Sequence, residues 1–411
     1  MKQIEKTYKP KKAIIFVIIF ALLFSFIKIT FADSNVYEIN NFDELLNAAE
    51  LSRQGGHQND TYILKSDIVI TESDQEKLNN SSVKYISFGS SEYPFKGTFD
   101  GEGHSISNLK YESTADPKTD TGLFSYTGEG AIIKNLTLLN ADIQADYRGG
   151  LIAGYSEGTT FENITIKDSH LFVAAANNVL TLITDGGIRG GAIVGEAKNS
   201  VLYNCETIDT MVNTNNTSGV AALSGKGLYL GGLVGTSIST TIEYSRVEGG
   251  LVKEYYDVAV EALGGNTLYV GGIVGQMKEQ SKVIDSYSTA ELNFYCATYV
   301  SVGAGNTGNI GGIAGAMFGS QNEIIRCIYS GKATSRQYNA VIVIPIIQDN
   351  INISGITNIY EGGKVENTYY KTSLNPEVTM NSLGNSGQTG SFGALSDEKF
   401  IDKEFWRTRR I

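Results

Sequence analysis

Apolar and polar positions alternate along this chain in short bursts, and the bursts recur with a long period. The stretch Gly231-Gly232-Leu233-Val234-Gly235 returns as Gly271-Gly272-Ile273-Val274-Gly275 and Gly311-Gly312-Ile313-Ala314-Gly315. Earlier it is written Gly150-Leu151-Ile152-Ala153-Gly154 and Gly191-Ala192-Ile193-Val194-Gly195. Frayed copies begin at Thr121 and Ser354, so successive starts are 29, 41, 40, 40, 40 and 43 residues apart. A second apolar–polar run follows each motif at fixed phase, as in Phe161-Glu162-Asn163-Ile164, Leu202-Tyr203-Asn204-Cys205 and Ile242-Glu243-Tyr244-Ser245. A third, β-branched and aromatic, comes next, as in Leu251-Val252-Lys253-Glu254-Tyr255-Tyr256. Period-two bursts bounded by Gly, Asn and Ser predict strands, and the three- and four-residue spacing of helical repeats is missing.

Units of this kind bury their apolar faces only against their neighbours, so the chain predicts an all-β parallel β-helix with two or three strands per coil. The bias of parallel crossovers predicts a right-handed one. Leu123, Ile152, Ile193, Leu233, Ile273, Ile313 and Ile356 share one phase and should form an inward ladder rising about 4.8 Å per coil. The framing glycines Gly150, Gly154, Gly191, Gly195, Gly231, Gly235, Gly271, Gly275, Gly311 and Gly315 are then structural, serving positive φ or close approach of coils. They are not a phosphate cradle: Gly219 to Gly225-Lys226-Gly227 fails the P-loop spacing. Cys205 and Cys327 share a phase with Ser245, Ser286 and Thr368. Three coils separate them, about 14 Å, whereas a disulfide needs Cα atoms within about 7 Å. They read as small ladder residues, with a bond from Cys296 left open. Extra residues after the third strand, such as Val179–Ile183, 219–223, 257–261, 299–303 and 341–344, recur in phase and read as stacked hairpin arms or an extended third strand.

The ends differ in character. Lys2, Lys6, Lys9, Lys11 and Lys12, the apolar run 13–27 and Thr30-Phe31-Ala32 describe a signal peptide over residues 1–32, or, if uncleaved, a membrane anchor. Residues 33–95 should hold an N-terminal cap and the first strands, with a short helix capped by Asn41 and running to about Glu50. Residues 96–380 form the β-helix, and 381–411 a flexible linker with a short C-terminal helix around Leu395–Trp406. The chain stops at Ile411 without a sorting motif or apolar anchor, which reads as a freestanding exported solenoid or a truncated frame. Net charge is −11, from 33 basic and 44 acidic residues. Removing the six lysines and one glutamate of the first 32 residues leaves −16, which disfavours nucleic acid and anionic lipid as partners.

Phe95-Lys96-Gly97-Thr98-Phe99-Asp100-Gly101-Glu102-Gly103-His104-Ser105-Ile106-Ser107-Asn108-Leu109, followed by Gly-x-Leu/Ile-Val/Ala-Gly repeats, makes the chain resemble the GLUG-repeat bacterial surface proteins. The resemblance covers about residues 36–370. It implies a pectin-lyase-like right-handed β-helix, with similar repeats in the non-catalytic region of IgA-specific metallo-endopeptidases. Thr121 and Ser354 depart from the first glycine of the motif.

Candidate chemistry is thin. Of three histidines, His57, His104 and His170, none lies in His-Glu-x-x-His, and His104 closes a turn from Asp100. No Gly-x-Ser-x-Gly elbow surrounds Ser105 or Ser125. A polysaccharide lyase or glycoside hydrolase, the alternative function, needs grouped carboxylates. Asp116-Pro117-Lys118-Thr119-Asp120 reads instead as a solvated turn, and Asp285 with Arg326 as an outward ion pair. No catalytic, cofactor or metal residue is assigned. The aromatic strip Tyr255, Tyr256, Tyr295, Tyr299 and Tyr338 is the candidate binding face for a host or extracellular-matrix protein or glycan. The expectation is a non-catalytic adhesin or scaffold module, secreted or at the cell surface.

Overall fold

A computed structural model describes residues 34–80, 85–111, 120–173, 187–214, 216–222, 227–262, 267–302, 307–338, 342–344, 350–371, 383 and 392–400. The signal segment, Val179–Ile183 and Trp406 lie outside these. Among the described residues, no helix is long and apolar enough to cross a membrane.

One coil carries five strands: Gly227–Gly231, Val234–Ile238, Thr241–Glu243, Arg246–Glu248 and Leu251–Ala262. Each pairs in parallel with its counterparts on the neighbouring coils. The result is a parallel β-solenoid with four sheets. A pre-glycine sheet and a post-glycine sheet each hold seven strands, a split sheet, with two short strands from most coils, holds eighteen, and a long-strand sheet holds nine. Two or three strands per coil was therefore too few.

The extra strands come from single-residue corners. Asn135, Asn163, Asn204, Tyr244, Asp285, Arg326 and Asn367 all have φ between 49° and 54°; the last five divide each run into two short strands, while Asn135 and Asn163 bend the unbroken strands Ile132–Leu139 and Thr160–Lys167. Asn108, Asn140, Asp168 and Asp209 (φ 47° to 62°) turn the chain into the long-strand sheet, and Asn199, Ser239 and Glu279 (φ 49° to 59°) turn it out of the post-glycine sheet. Asn and Asp dominate because they tolerate the left-handed region best among residues with a Cβ.

Beyond several of these corners a small polar residue inside the coil satisfies backbone that the corner leaves unpaired. The N–H of Thr159 donates to Ser200 Oγ (3.2 Å), that of Ser200 to Thr240 Oγ1 (3.3 Å), and that of Ser281 to Asn322 Oδ1 (2.9 Å). At the next corner Cys205 N–H donates to Ser245 Oγ (3.1 Å), Ser245 to Ser286 Oγ (3.1 Å), and Cys327 to Thr368 Oγ1 (3.3 Å). Cys205 and Cys327 thus sit in the ladder with Ser245, Ser286 and Thr368, as their phase predicts. All three cysteines are buried, Cys205 and Cys327 as free thiols.

The core is the aliphatic column expected from the repeat. Leu123, Ile152, Ile193, Leu233, Ile273, Ile313 and Ile356 are each 0 % exposed. Leu233, Ile273 and Ile313 donate their N–H in turn to the oxygens of Ile273, Ile313 and Ile356, each at 2.9 Å, one strand spacing per coil. The framing glycines serve close approach, not positive φ. A Cβ on Gly235 would lie 2.5 Å from Gly195 O and 2.7 Å from Gly190 N, because the pre-glycine backbone of the preceding coil packs against it.

At the N-terminal end, helix α1 (Phe42–Ser52) is capped by Asn41, whose side chain accepts from Glu44 N–H at 3.0 Å. It buries Phe42, Leu45, Ala48 and Ala49 against the first coil. A second helix, α2 (Glu72–Asn80), has little apolar periodicity and was not legible. His104 closes the expected turn, donating its N–H to Gly101 O at 2.7 Å. Within the predicted linker, Phe392–Leu395 is a strand that adds to Thr368–Lys371, followed by the four-residue helix Asp397–Phe400. The in-phase extra residues are an extended third strand where described: Leu251–Ala262 and Glu291–Val302 run unbroken for 12 residues each, in register.

Candidate functional site

On the long-strand sheet burial alternates, with Val252, Glu254, Leu292, Phe294 and Cys296 inside and Lys253, Tyr255, Asn293 and Tyr295 half-buried on the outer face. Tyr255 pairs with Tyr295 across one strand spacing, and their rings stack 4.5 Å apart at 6°. The Lys253 ammonium sits 5.5 Å from the Tyr255 ring, a cation–π arrangement, and exposed Arg336 occupies the next rung beyond Tyr295. Tyr256 pairs with Cys296, which is buried, Tyr338 pairs with Ala297, and Tyr299 lies further along the Glu291–Val302 strand. The side chains of Tyr256, Tyr299 and Tyr338 lie outside the described residues. The strip is thus described as one stacked pair, with backbone positions for the rest.

The same face continues with His170, whose Nδ1 lies 3.0 Å from Asp142 Oδ1 and whose Nε2 lies 2.6 Å from Asn213 Oδ1. These three residues come from three successive rungs. On the inner side, Glu254 is 0 % exposed, and burial pushes its carboxyl up to about 8 against the smaller pull of the Thr214 hydroxyl.

A second constellation was missed. The residue two positions before each glycine motif forms an outward ladder on the pre-glycine sheet: Arg148, Arg189, Tyr229, Tyr269 and Asn309. The bend at the motif turns it toward Tyr155, Glu196, Thr236 and Gln276 of the post-glycine sheet. Arg148 donates from Nε and Nη2 to the two oxygens of Asp120 (2.5 and 2.8 Å) and from Nη1 to Glu196 (3.1 Å). Arg189 pairs with the other Glu196 oxygen. The Arg148 guanidinium lies 4.1 Å from the Tyr155 ring centre, and Tyr229 and Tyr269 stack at 5.3 Å and 6°. Burial pushes the Asp120 carboxyl up against the pull of Arg148, lowers Lys278, and raises Tyr269 to about 12.

These charges neutralise one another in a buried seam, which makes the seam a buttress for the bend. Asp120 is accordingly not in a solvated turn. It is a strand residue with its side chain only 8 % exposed, and residues 116–119 lie outside the described ones. The signal for the seam was present in the recurrence of Arg, Arg, Tyr, Tyr and Asn at one offset from the motif.

Asp285 and Arg326 form the expected ion pair, with Nε and Nη2 at 2.5 and 2.6 Å from the carboxylate oxygens. Among the described residues, no three of His, Cys, Asp and Glu converge as a metal site.

These features define a parallel β-solenoid with stacked tyrosines on one outer face and a buried ionic seam at the glycine bend. No protein-family model matches the chain. Its sequence is 26 % identical over 220 residues to halomucin from Haloquadratum walsbyi (strain DSM 16790 / HBSQ001), covering 50 % of this chain and 2 % of that protein. Among solved structures it is similar to an IgA1 protease, with TM-score 0.52, 18 % identity, and coverage of 90 % of this chain and 24 % of that one. The chain therefore spans a minor part of the length of both proteins. At that identity the structural likeness shows the fold.

Proposed function

We propose that the chain is an exported β-helical surface module of the GLUG-repeat kind that binds a host or matrix protein or glycan and carries no catalysis. The observation that carries this reading is the Tyr255–Tyr295 pair, held on the outer face of two strands paired in register, with Lys253 and Arg336 beside it. Parallel stacking covers the facing sides of the two rings, so the pair offers ring edges, hydroxyls and an adjoining positive charge. That combination suits hydrogen bonding with a partner's polar groups. The similarity to halomucin and to part of an IgA1 protease supports a secreted or surface location.

The test is binding of the purified chain to a glycan array and to immobilised matrix proteins, repeated with Tyr255→Ala/Tyr295→Ala. Loss of at least one array glycan or matrix protein that the wild type binds, with an unchanged circular-dichroism melt, is expected, and an unchanged binding profile removes the proposal. Release of unsaturated products from acidic polysaccharide would favour a lyase instead.

A further inference from the structure

The outer face of the split sheet carries a feature that the repeat does not require. Seven residues occupy its mid-sheet corner, all in the left-handed region. At Asn135, Asn163 and Asn204 the side chains form an amide ladder: Asn163 Nδ2 donates to Asn135 Oδ1 (3.0 Å), and Asn204 Nδ2 to Asn163 Oδ1 (2.7 Å). At Asp285 and Arg326 they form a two-pronged ion pair. Between these two arrangements stands Tyr244, at φ 49° and 54 % exposed. A bulky residue is disfavoured in this conformation, and Tyr244 recovers no burial in exchange. Asparagine would fit the corner better and extend the ladder.

Its neighbour completes a patch. Tyr203, on the preceding coil, is 42 % exposed, and Val201, two residues before it on the same face, is 38 % exposed. The two tyrosine rings meet edge to face, 5.5 Å apart at 72°. Unlike the pairs Tyr255–Tyr295 and Tyr229–Tyr269, both at 6°, they do not lie flat on one another. Ring faces therefore remain available on the outer face of the sheet. Around them stand hydrogen-bonding groups: Asn204, the Asp285–Arg326 pair and Glu243.

We infer that Tyr203 and Tyr244 form a second binding site, distinct from the Tyr255 face, whose ligand is a pyranose ring of a neutral glycan. A pyranose presents a flat array of C–H groups to an aromatic face and a girdle of hydroxyls to a polar rim, which is the chemistry on offer here. Glu243 beside the rings and the net charge of −11 select against uronic or sialylated sugars.

The test is affinity electrophoresis of the full chain through gels containing mannan, glycogen, laminarin or xyloglucan, with alginate as the acidic comparison. Retardation by at least one neutral polysaccharide is expected. Tyr244→Asn and Tyr203→Ala should each weaken it about tenfold. Tyr244→Asn should melt at or above the wild-type temperature, because it relieves the corner. Tyr255→Ala/Tyr295→Ala should leave this retardation intact, which separates the site from the one proposed above. The inference is overturned by any of four results: no neutral glycan retards the chain, alginate alone does, Tyr244→Asn binds like wild type, or Tyr244→Asn lowers the melting temperature. It is equally overturned if Tyr244→Asn abolishes binding to immobilised fibronectin or collagen while glycan retardation is unchanged.

Discussion

Glu254 provides a quantitative test of the interior. It sits inside the coil on the strand Leu251–Ala262, between the rungs of Thr214 and Phe294, with no exposed surface. Burial raises its carboxyl from 4.5 to about 8. Between those values the unfolded chain has lost the proton and the folded chain keeps it. Unfolding then releases a proton, so stability falls as pH rises through this window and levels off above about 8. At about 1.4 kcal/mol per pH unit, the loss between pH 5 and pH 9 is about 4 kcal/mol.

In a solenoid, where each coil touches only its neighbours, that loss concentrates around the coil carrying Leu251–Ala262. Glu254→Gln keeps the shape and removes the ionisation. Urea unfolding followed by circular dichroism at pH 5 and pH 9 should show wild type losing about 4 kcal/mol more than Glu254→Gln, since the two proteins differ at this one carboxyl. Parallel pH profiles for the two proteins would refute the argument, because they would mean that Glu254 ionises in the folded state at no cost.

Two further predictions concern the glycine bend. A Cβ on Gly275 would lie 2.6 Å from Gly235 O and 2.7 Å from Leu230 N, all backbone, so Gly275→Ala should destabilise by about 1–3 kcal/mol in urea melts. Arg148→Ala leaves the Asp120 carboxylate buried without its bidentate partner and should cost about 3–5 kcal/mol by the same assay. The double variant Arg148→Met/Asp120→Leu, which removes both charges, should recover most of that loss.

Much of the fold is legible in the amino-acid sequence. The forty-residue spacing of Leu233, Ile273 and Ile313 placed them in one column, and the phase shared by Cys205, Ser245, Ser286, Cys327 and Thr368 put them in one hydrogen-bonded ladder. Asn41 read as the cap of α1. The five-strand coil was hidden because a one-residue left-handed corner such as Asn204 leaves the surrounding apolar alternation nearly unbroken. Strands of three residues, Val201–Tyr203 and Glu206–Ile208, then look like one run. The buried seam was hidden for a different reason. Arg148, Arg189 and Glu196 look like ordinary surface charges until the bend brings two outer faces together.

The amino-acid sequence alone determined the repeat, its register and its aliphatic interior, because stacking places residues one period apart in contact whatever the shape of the coil. It also determined that tyrosines recur at matched positions. The tertiary structure decided which of those rings cover one another and which remain available. That outcome depends on register and corner angles: Tyr255 and Tyr295 are register partners and stack, whereas Tyr203 faces Glu243 and Tyr244 stands one position on, at a left-handed corner, meeting Tyr203 edge to face.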